Sequence, residues 1–319
     1  MIKKAYYGYI TELLPAFIIA AATIMILSHP NFCAESVRDA LELCMGRVIP
    51  SLFPFMIISA MIVSTKILSS ALRLPSLFFS KLFKVSPSSF QAVIIGCFCG
   101  FPVGAASLFG LYKAGNIEKE ETERLLPLCN LCSPAFVIFF SEKAFGDIPF
   151  AGVSLYLIQL FSSLLLMMIT SSRSNVFKTA FGYENEKTLS FSKAFILSVK
   201  TALHSSITVC GFVITFYLIN ELILLAFGGN KASSLPIMIV SGLLEVTCGI
   251  TNISKSSLLT FCIASFFICF GGLSTVFQTF AIAPDGISRK KYILGKGAMG
   301  IIGALSALPV FLILKFLKI

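Results

Sequence analysis

Gly96-Cys97-Phe98-Cys99-Gly100-Phe101-Pro102-Val103-Gly104-Ala105 lies in the middle of an apolar stretch that runs over residues 88–112. Gly100 and Gly104 admit backbone geometries closed to other residues, and Pro102 removes a backbone donor. The stretch therefore predicts a helix that stops and restarts. A second apolar stretch, residues 125–140, breaks at Asn130-Leu131-Cys132-Ser133-Pro134-Ala135-Phe136. Ser133 suits a helix N-cap and Pro134 the first helical position, so a helix begins again inside apolar sequence.

Working outward, residues 236–257 carry Leu244-Glu245-Val246-Thr247-Cys248-Gly249-Ile250-Thr251-Asn252, and residues 258–282 are interrupted at Gly271-Gly272-Leu273-Ser274. The surroundings of all four breaks are those of a membrane protein. Of 319 residues, 56% are hydrophobic and 13% charged, against about 25% charged in an average soluble protein. Mean hydropathy is +0.91. Apolar runs of spanning length, about 17 to 25 residues, fall at 7–28, 48–65, 148–170, 202–227, 258–282 and 293–316. The expected fold is all-α and polytopic, one membrane transport domain over 1–319. Its parts are N-terminal helices (1–87), a first hairpin and broken helix (88–142), connecting helices with a polar loop (143–235), a second hairpin and broken helix (236–282) and a C-terminal helix (283–319).

The N-terminal run follows Lys3 and Lys4, but Phe32-Cys33-Ala34 lacks a small-x-small cleavage pattern, so the first helix is read as retained. Residues 31–47 place Ala34, Val37, Leu41, Cys44 and Val48 at helical spacing against Glu35, Arg38, Asp39 and Glu42, which predicts an interfacial amphipathic helix. If 88–112 is a re-entrant hairpin, most of the 25 Lys and Arg gather on one side, among them Lys3, Lys4, Lys81, Lys84, Lys113, Arg289, Lys290, Lys291 and Lys296. Arg38, Arg47, Lys143, Lys231, Lys255, Lys315 and Lys318 fall on the other. The positive-inside rule then makes the N-terminus cytoplasmic. The same counting has 236–257 entering from the opposite side. The order hairpin then broken helix occurs in both halves, and Asn130–Phe136 aligns loosely with Gly271–Phe277. Together these predict an inverted repeat, a transporter architecture.

Broken backbone at membrane depth is tolerated only where it is buried in protein or lines a cavity. The candidate substrate site is accordingly Gly100, Phe101, Pro102, Gly104, Asn130, Ser133, Pro134, Glu245, Thr247, Gly249, Thr251, Asn252, Gly272, Ser274 and Gln278. Thr251 and Asn252 are expected to cap the returning half-helix of the second hairpin, and Ser274 the restarted helix after Gly272. Half-helix N-termini at one depth carry exposed N–H groups and positive partial charge, which suits a carboxylate. Glu245 is an intramembrane acid and so a functional candidate. Binding a coupling cation, a proton or the substrate, or simply stabilising the hairpin tip, are all open to it. The cluster Glu118, Glu120, Glu121 and Glu123 reads as a solvated face.

Cys97-x-Cys99 and Cys129-x-x-Cys132 suggest a soft metal, but no His or acid completes the set, and no metal site is expected. The ten cysteines read as packing residues rather than a disulfide framework. His29 and His204 are isolated, and no HExxH, phosphate loop or GxSxG occurs. An enzyme is not expected, nor a nucleic-acid partner.

The ordered set Pro50-Ser51-Leu52-Phe53-Pro54-Phe55, Gly100-Phe101-Pro102-Val103-Gly104, Glu123-Arg124-Leu125-Leu126 with Asn130 and Ser133-Pro134, Glu245 with Gly249, and Gly271-Gly272 with Gln278 resembles the YlbJ-type (SpoVV-like) sporulation integral membrane proteins. That group belongs with the nucleoside-recognition or gate-domain proteins, which include parts of ferrous iron permeases and are similar in architecture to concentrative nucleoside transporters. The resemblance covers residues 47–278. It implies movement of dipicolinate across the outer forespore membrane during endospore formation, a multi-pass location among membrane lipids, and compatibility with a homodimer or trimer. No cofactor is expected beyond a coupling proton or sodium ion. Phe101–Ala105 lacks the polar and acidic tip residues of the nucleoside transporters, which argues against nucleosides. A sporulation scaffold that transports nothing, and a nucleoside or metal-ion permease, are the other readings.

Overall fold

The computed structural model describes residues 16–65, 72–171, 189–227 and 234–317. Lys3 and Lys4, the start of the 7–28 run, most of the polar loop, and Lys231 and Lys318 lie outside the described residues. Every regular element in the described part is helical.

The chain begins with α1 (Ala16–Ser28) and α2 (Pro30–Leu43), which has a Pro in its first turn. A π-helical turn, Cys44–Val48, joins α2 to α3 (Ile49–Ser64). The wider turn sits just ahead of Pro50, whose ring would otherwise crowd the carbonyl four residues back. Helix continues unbroken from Pro30 to Ile62 as one candidate span. The segment expected to lie apart as an interfacial helix is thus the first half of a long one. Its buried stripe is Cys33, Ser36, Ala40, Cys44, Val48, Leu52 and Met56, set about one residue from the face expected.

Next come α4 (Arg73–Phe83), α5 (Pro87–Cys99) and α6 (Val103–Lys113). Lys84 takes a left-handed conformation, φ 51°, and α4 meets α5 at 98°. Then follow α7 (Lys119–Cys129), α8 (Pro134–Phe145), α9 (Ala151–Ile169) and α10 (Phe191–Ala226). The last starts well ahead of the expected position 202 and packs along α2 and α3. The rest are α11 (Leu235–Leu244), α12 (Val246–Thr251), α13 (Leu258–Phe270), α14 (Gly272–Ile282) and α15 (Arg289–Leu317).

Six helices or helix pairs among the described residues are long and apolar enough to cross a membrane. The protein is an integral multi-pass membrane protein. Its two broken spans are the inner ones: 72% of the Lys119–Glu142 window and 67% of the Leu258–Ile282 window are buried, against 22% to 39% for the four unbroken spans. That is the placement the bilayer requires, because freed backbone groups find partners only inside protein. The unbroken spans carry large apolar side chains on their outer faces, among them Phe161, Ile207 and Phe316, as a lipid-facing surface does.

Candidate functional site

Two short helix pairs lie against the two broken spans. In the first, α5 has 13 residues and α6 has 11, about 20 Å and 17 Å long at 1.5 Å per residue. Both fall short of a hydrocarbon core of about 30 Å. The arms approach closely because Gly96 and Gly104 face each other: a Cβ on Gly104 would lie 2.6 Å from the Gly96 Cα, and at either glycine it would run into the Cys129 carbonyl. The turn passes through Gly100, φ 74°, and a cis Phe101–Pro102 peptide. The tip meets the α7–α8 break directly. Phe101 donates its N–H to the Leu131 carbonyl at 2.7 Å, and a Cβ on Gly100 would be 2.7 Å from the Ser133 nitrogen.

The second pair, α11 and α12, repeats this plan. Gly242 and Gly249 face each other, and a Cβ on Gly249 would lie 2.8 Å from Cδ2 of Phe267. The tip at Leu244-Glu245-Val246 meets the α13–α14 break, since a Cβ on Gly272 would be 3.1 Å from the Leu244 oxygen and 3.2 Å from the Glu245 Cα. Gly104 and Gly249 are therefore accounted for by close packing. The first break also touches both arms of the second broken span, α13 near its end and α14 well past its start. Asn130 Nδ2 donates to Thr279 Oγ1 at 2.7 Å, and the Cys132 thiol donates to the Ile268 carbonyl at 3.4 Å.

The carbonyls of the α7–α8 break, Asn130 to Ser133, all have donors. Gln159, fully buried on α9, accepts from the Cys132 N–H at 3.0 Å and donates to the Cys132 carbonyl at 2.9 Å. Ser133 caps α8 by accepting from the Phe136 N–H at 3.3 Å, with Pro134 at the first helical position. Tyr156 donates to the Cys97 carbonyl at 2.8 Å near the end of α5.

At the second hairpin the cap is Glu245. Its Oε2 accepts from the N–H groups of Thr247, at 2.6 Å, and Cys248, at 3.1 Å, and from the Thr247 hydroxyl. This corrects the expectation for Thr251 and Asn252. Thr251 is the last residue of α12, its hydroxyl bonded back to the Thr247 carbonyl at 2.8 Å, and Asn252 follows the helix end. Both lie away from the tip. Ser274 does not cap α14 either. The helix starts at Gly272, after Gly271; these glycines, at φ 86° and 75°, turn the chain in so few residues that Ser274 falls inside the helix. There it accepts from Gln278 Nε2 at 3.0 Å. Both are buried, and Gln278 Oε1 has no partner.

Of the four half-helix starts, two are therefore occupied by the chain's own side chains, Ser133 and Glu245. The starts of α6 and α14 carry no side-chain cap.

Glu118 and Glu120 of the acidic cluster are exposed, as a solvated face requires, but Glu121 and Glu123 are not. Glu121 accepts from the Ser86 N–H at 2.7 Å and from the hydroxyls of Ser86 and Ser89 at 2.8 and 2.6 Å, closing the start of α5. Glu123 is buried, accepts from the Ser288 N–H at 3.0 Å and pairs with Lys291 at 2.7 Å.

Sequence reasoning placed Lys296 with the basic loop residues. The structure buries it inside α15, 1% exposed, where its ammonium donates to the Asn130 carbonyl at 3.0 Å. One turn earlier, Tyr292 accepts from Asn130 Nδ2 at 2.6 Å. Gln159, Tyr292 and Thr279 were missed as well. The available signal was polarity at buried-stripe positions of apolar helices, which marks function or a satisfied backbone group by default. Among the described residues, no three His, Cys, Asp or Glu side chains come together as a metal ligand set.

Two buried broken spans in contact with each other, each faced at its break by a short-helix tip, define an all-α polytopic membrane protein whose polar centre is enclosed by protein. The chain is similar to the sporulation integral membrane protein YlbJ of Bacillus subtilis (strain 168), with 26% identity over 339 aligned positions that take in 92% of this chain and 81% of that protein. This similarity supports assignment to the YlbJ-type proteins. No protein-family profile matches the chain, and no solved structure matches it.

Proposed function

We propose that this chain is a membrane transporter for a small organic anion, and that the anion is dipicolinate, moved across the outer forespore membrane during endospore formation. The observation that carries the reading is the contact of the first break with both arms of the second broken span, Asn130 bonded to Thr279 and Cys132 to Ile268, together with each tip seated on its break. A purely structural kink needs one proline; it does not need two hairpins aimed at two breaks in the protein interior. The repeated plan favours an inverted repeat. Cys129 lies four residues before Ser133 and packs on the glycines of one hairpin, and Phe267 lies four before Gly271 and packs on those of the other. Substrate sites of such transporters lie at the repeat interface near the bilayer midplane.

The uncapped starts of α6 and α14 are the N–H groups left to meet a carboxylate. Glu245, held as a cap, serves as the gate of the second tip, with a proton or sodium ion as the coupling ion. No chemical conversion is part of this reading. The similarity to a sporulation membrane protein supports the endospore setting. It also leaves room for the second reading, a scaffold of a sporulation membrane complex.

Uptake of dipicolinate into liposomes carrying the purified protein tests the choice. The transporter reading expects uptake by the wild type and its loss in Glu245→Gln and Ser133→Ala. Well-folded protein that moves no dipicolinate, with variants that sporulate normally, supports the scaffold instead.

A further inference from the structure

Lys296 projects from α15 onto the break between α7 and α8. An ammonium carries three N–H donors and no acceptor. Among the described residues this one has a single hydrogen-bond acceptor, the Asn130 carbonyl at 3.0 Å, and no carboxylate. The thiols of Cys132 and Cys269 also interact with it electrostatically. Beside it, Asn130 spends its amide nitrogen on Thr279 and Tyr292, and its Oδ1 is buried without a partner. Hydrogen-bonding capacity is therefore unfilled at one point, on a cation and on the residue that holds it.

A backbone carbonyl at a helix end is satisfied by any neutral donor. A lysine taken out of water for that task alone carries a desolvation cost that a glutamine avoids. A buried cation without a counter-charge, at the break that the transporter reading makes part of the substrate path, has a use when an anion arrives.

We propose that Lys296 is the ionic contact for a carboxylate of the transported anion, occupied in this state by the Asn130 carbonyl. The proposal rests on the transporter reading and adds its charge selectivity. The carboxylate and the carbonyl compete for one ammonium, so anion binding releases the end of α7 from α15 and couples occupancy to the position of the broken span.

The test measures binding of dipicolinate, and of the uncharged pyridine-2,6-dicarboxamide, to the purified full chain in detergent. Variants are Lys296→Gln, which keeps a donor for Asn130 and removes the charge, and Lys296→Met. Thermal melting and size-exclusion profiles report folding. Lys296→Gln is expected to weaken dipicolinate binding about ten- to a hundredfold, the scale of one charge-assisted hydrogen bond. Binding of the diamide should change by less than about threefold, under 1 kcal/mol. Equal dipicolinate affinity in wild type and Lys296→Gln overturns the assignment of Lys296 while leaving the anion reading in place. Wild type that prefers the diamide overturns it without any variant. Wild type that binds neither molecule overturns the anion reading and this proposal together.

Discussion

Phe101 and Leu131 are joined by a backbone hydrogen bond of 2.7 Å, from the N–H of one to the carbonyl of the other, although neither lies in a helix. Each supplies what the other's break has freed. The tip of the first hairpin and the break of the first broken span are therefore one structural unit, and disturbance of either should be felt in both.

The closest part of that unit is the glycine contact. Gly104→Ala places a methyl group against the Cys129 carbonyl and Gly96, whereas Gly110, on the same helix, has nothing within 4 Å of an added Cβ. Gly104→Ala should destabilise by about 1–3 kcal/mol, as overpacking does. Gly110→Ala should be neutral or stabilise by up to about 1 kcal/mol through helix propensity. Melting of the two variants in detergent checks the contrast, and equal melting temperatures would contradict the packing described.

Gln159 holds both polar groups of Cys132. Gln159→Leu keeps the volume and leaves a buried N–H and a buried carbonyl unpaired, at about 1–3 kcal/mol each. The expected result is a marked fall in melting temperature, with faster hydrogen exchange at residues 131–133.

The breaks were legible in the sequence because Gly100-Phe101-Pro102, Ser133-Pro134 and Gly271-Gly272 interrupt apolar runs with residues whose backbone preferences are strong. What fills the breaks was not legible. Lys296 follows Arg289, Lys290 and Lys291 closely enough to read as the end of a basic loop, and only the three-dimensional stripe Tyr292, Lys296, Met299 puts it on the buried face. Glu245 displaced Thr251 as a cap because the chain turns ahead of α12 rather than after it, and a half-helix of 6 residues is too short for hydrophobic periodicity to show where it starts. Residues 31–47 joined α3 because the π-turn let the helix pass Pro50.

Glu121 and Glu123 predict different consequences for neighbouring acids. Glu121→Ala removes three hydrogen bonds at the start of α5 and should cost about 1–2 kcal/mol, the upper range for a lost cap. Lys291→Ala removes the exposed partner of Glu123 and should change stability less, since the Ser288 N–H still meets the carboxylate. Hydrogen exchange at residues 86–90 reports the first loss and at residues 286–291 the second. The reverse order of effects would place the anchoring elsewhere.

Glu245 joins a structural duty to the proposed transport role, and graded variants separate them. Its Oε2 closes the start of α12 through Thr247 and Cys248. Glu245→Ala removes that cap and should destabilise by about 0.5–2 kcal/mol. Glu245→Gln keeps an oxygen for the same two N–H groups, so its melting temperature should stay near that of wild type. If Glu245 serves only as a cap, Glu245→Gln transports dipicolinate as the wild type does and Glu245→Ala is impaired in proportion to its stability. If its charge takes part in gating or ion coupling, Glu245→Gln is stable and inactive. The Ala/Gln comparison, read by melting and by liposome uptake on the same preparations, distinguishes the two, because a cap requires an acceptor and coupling requires a group that gains and loses charge.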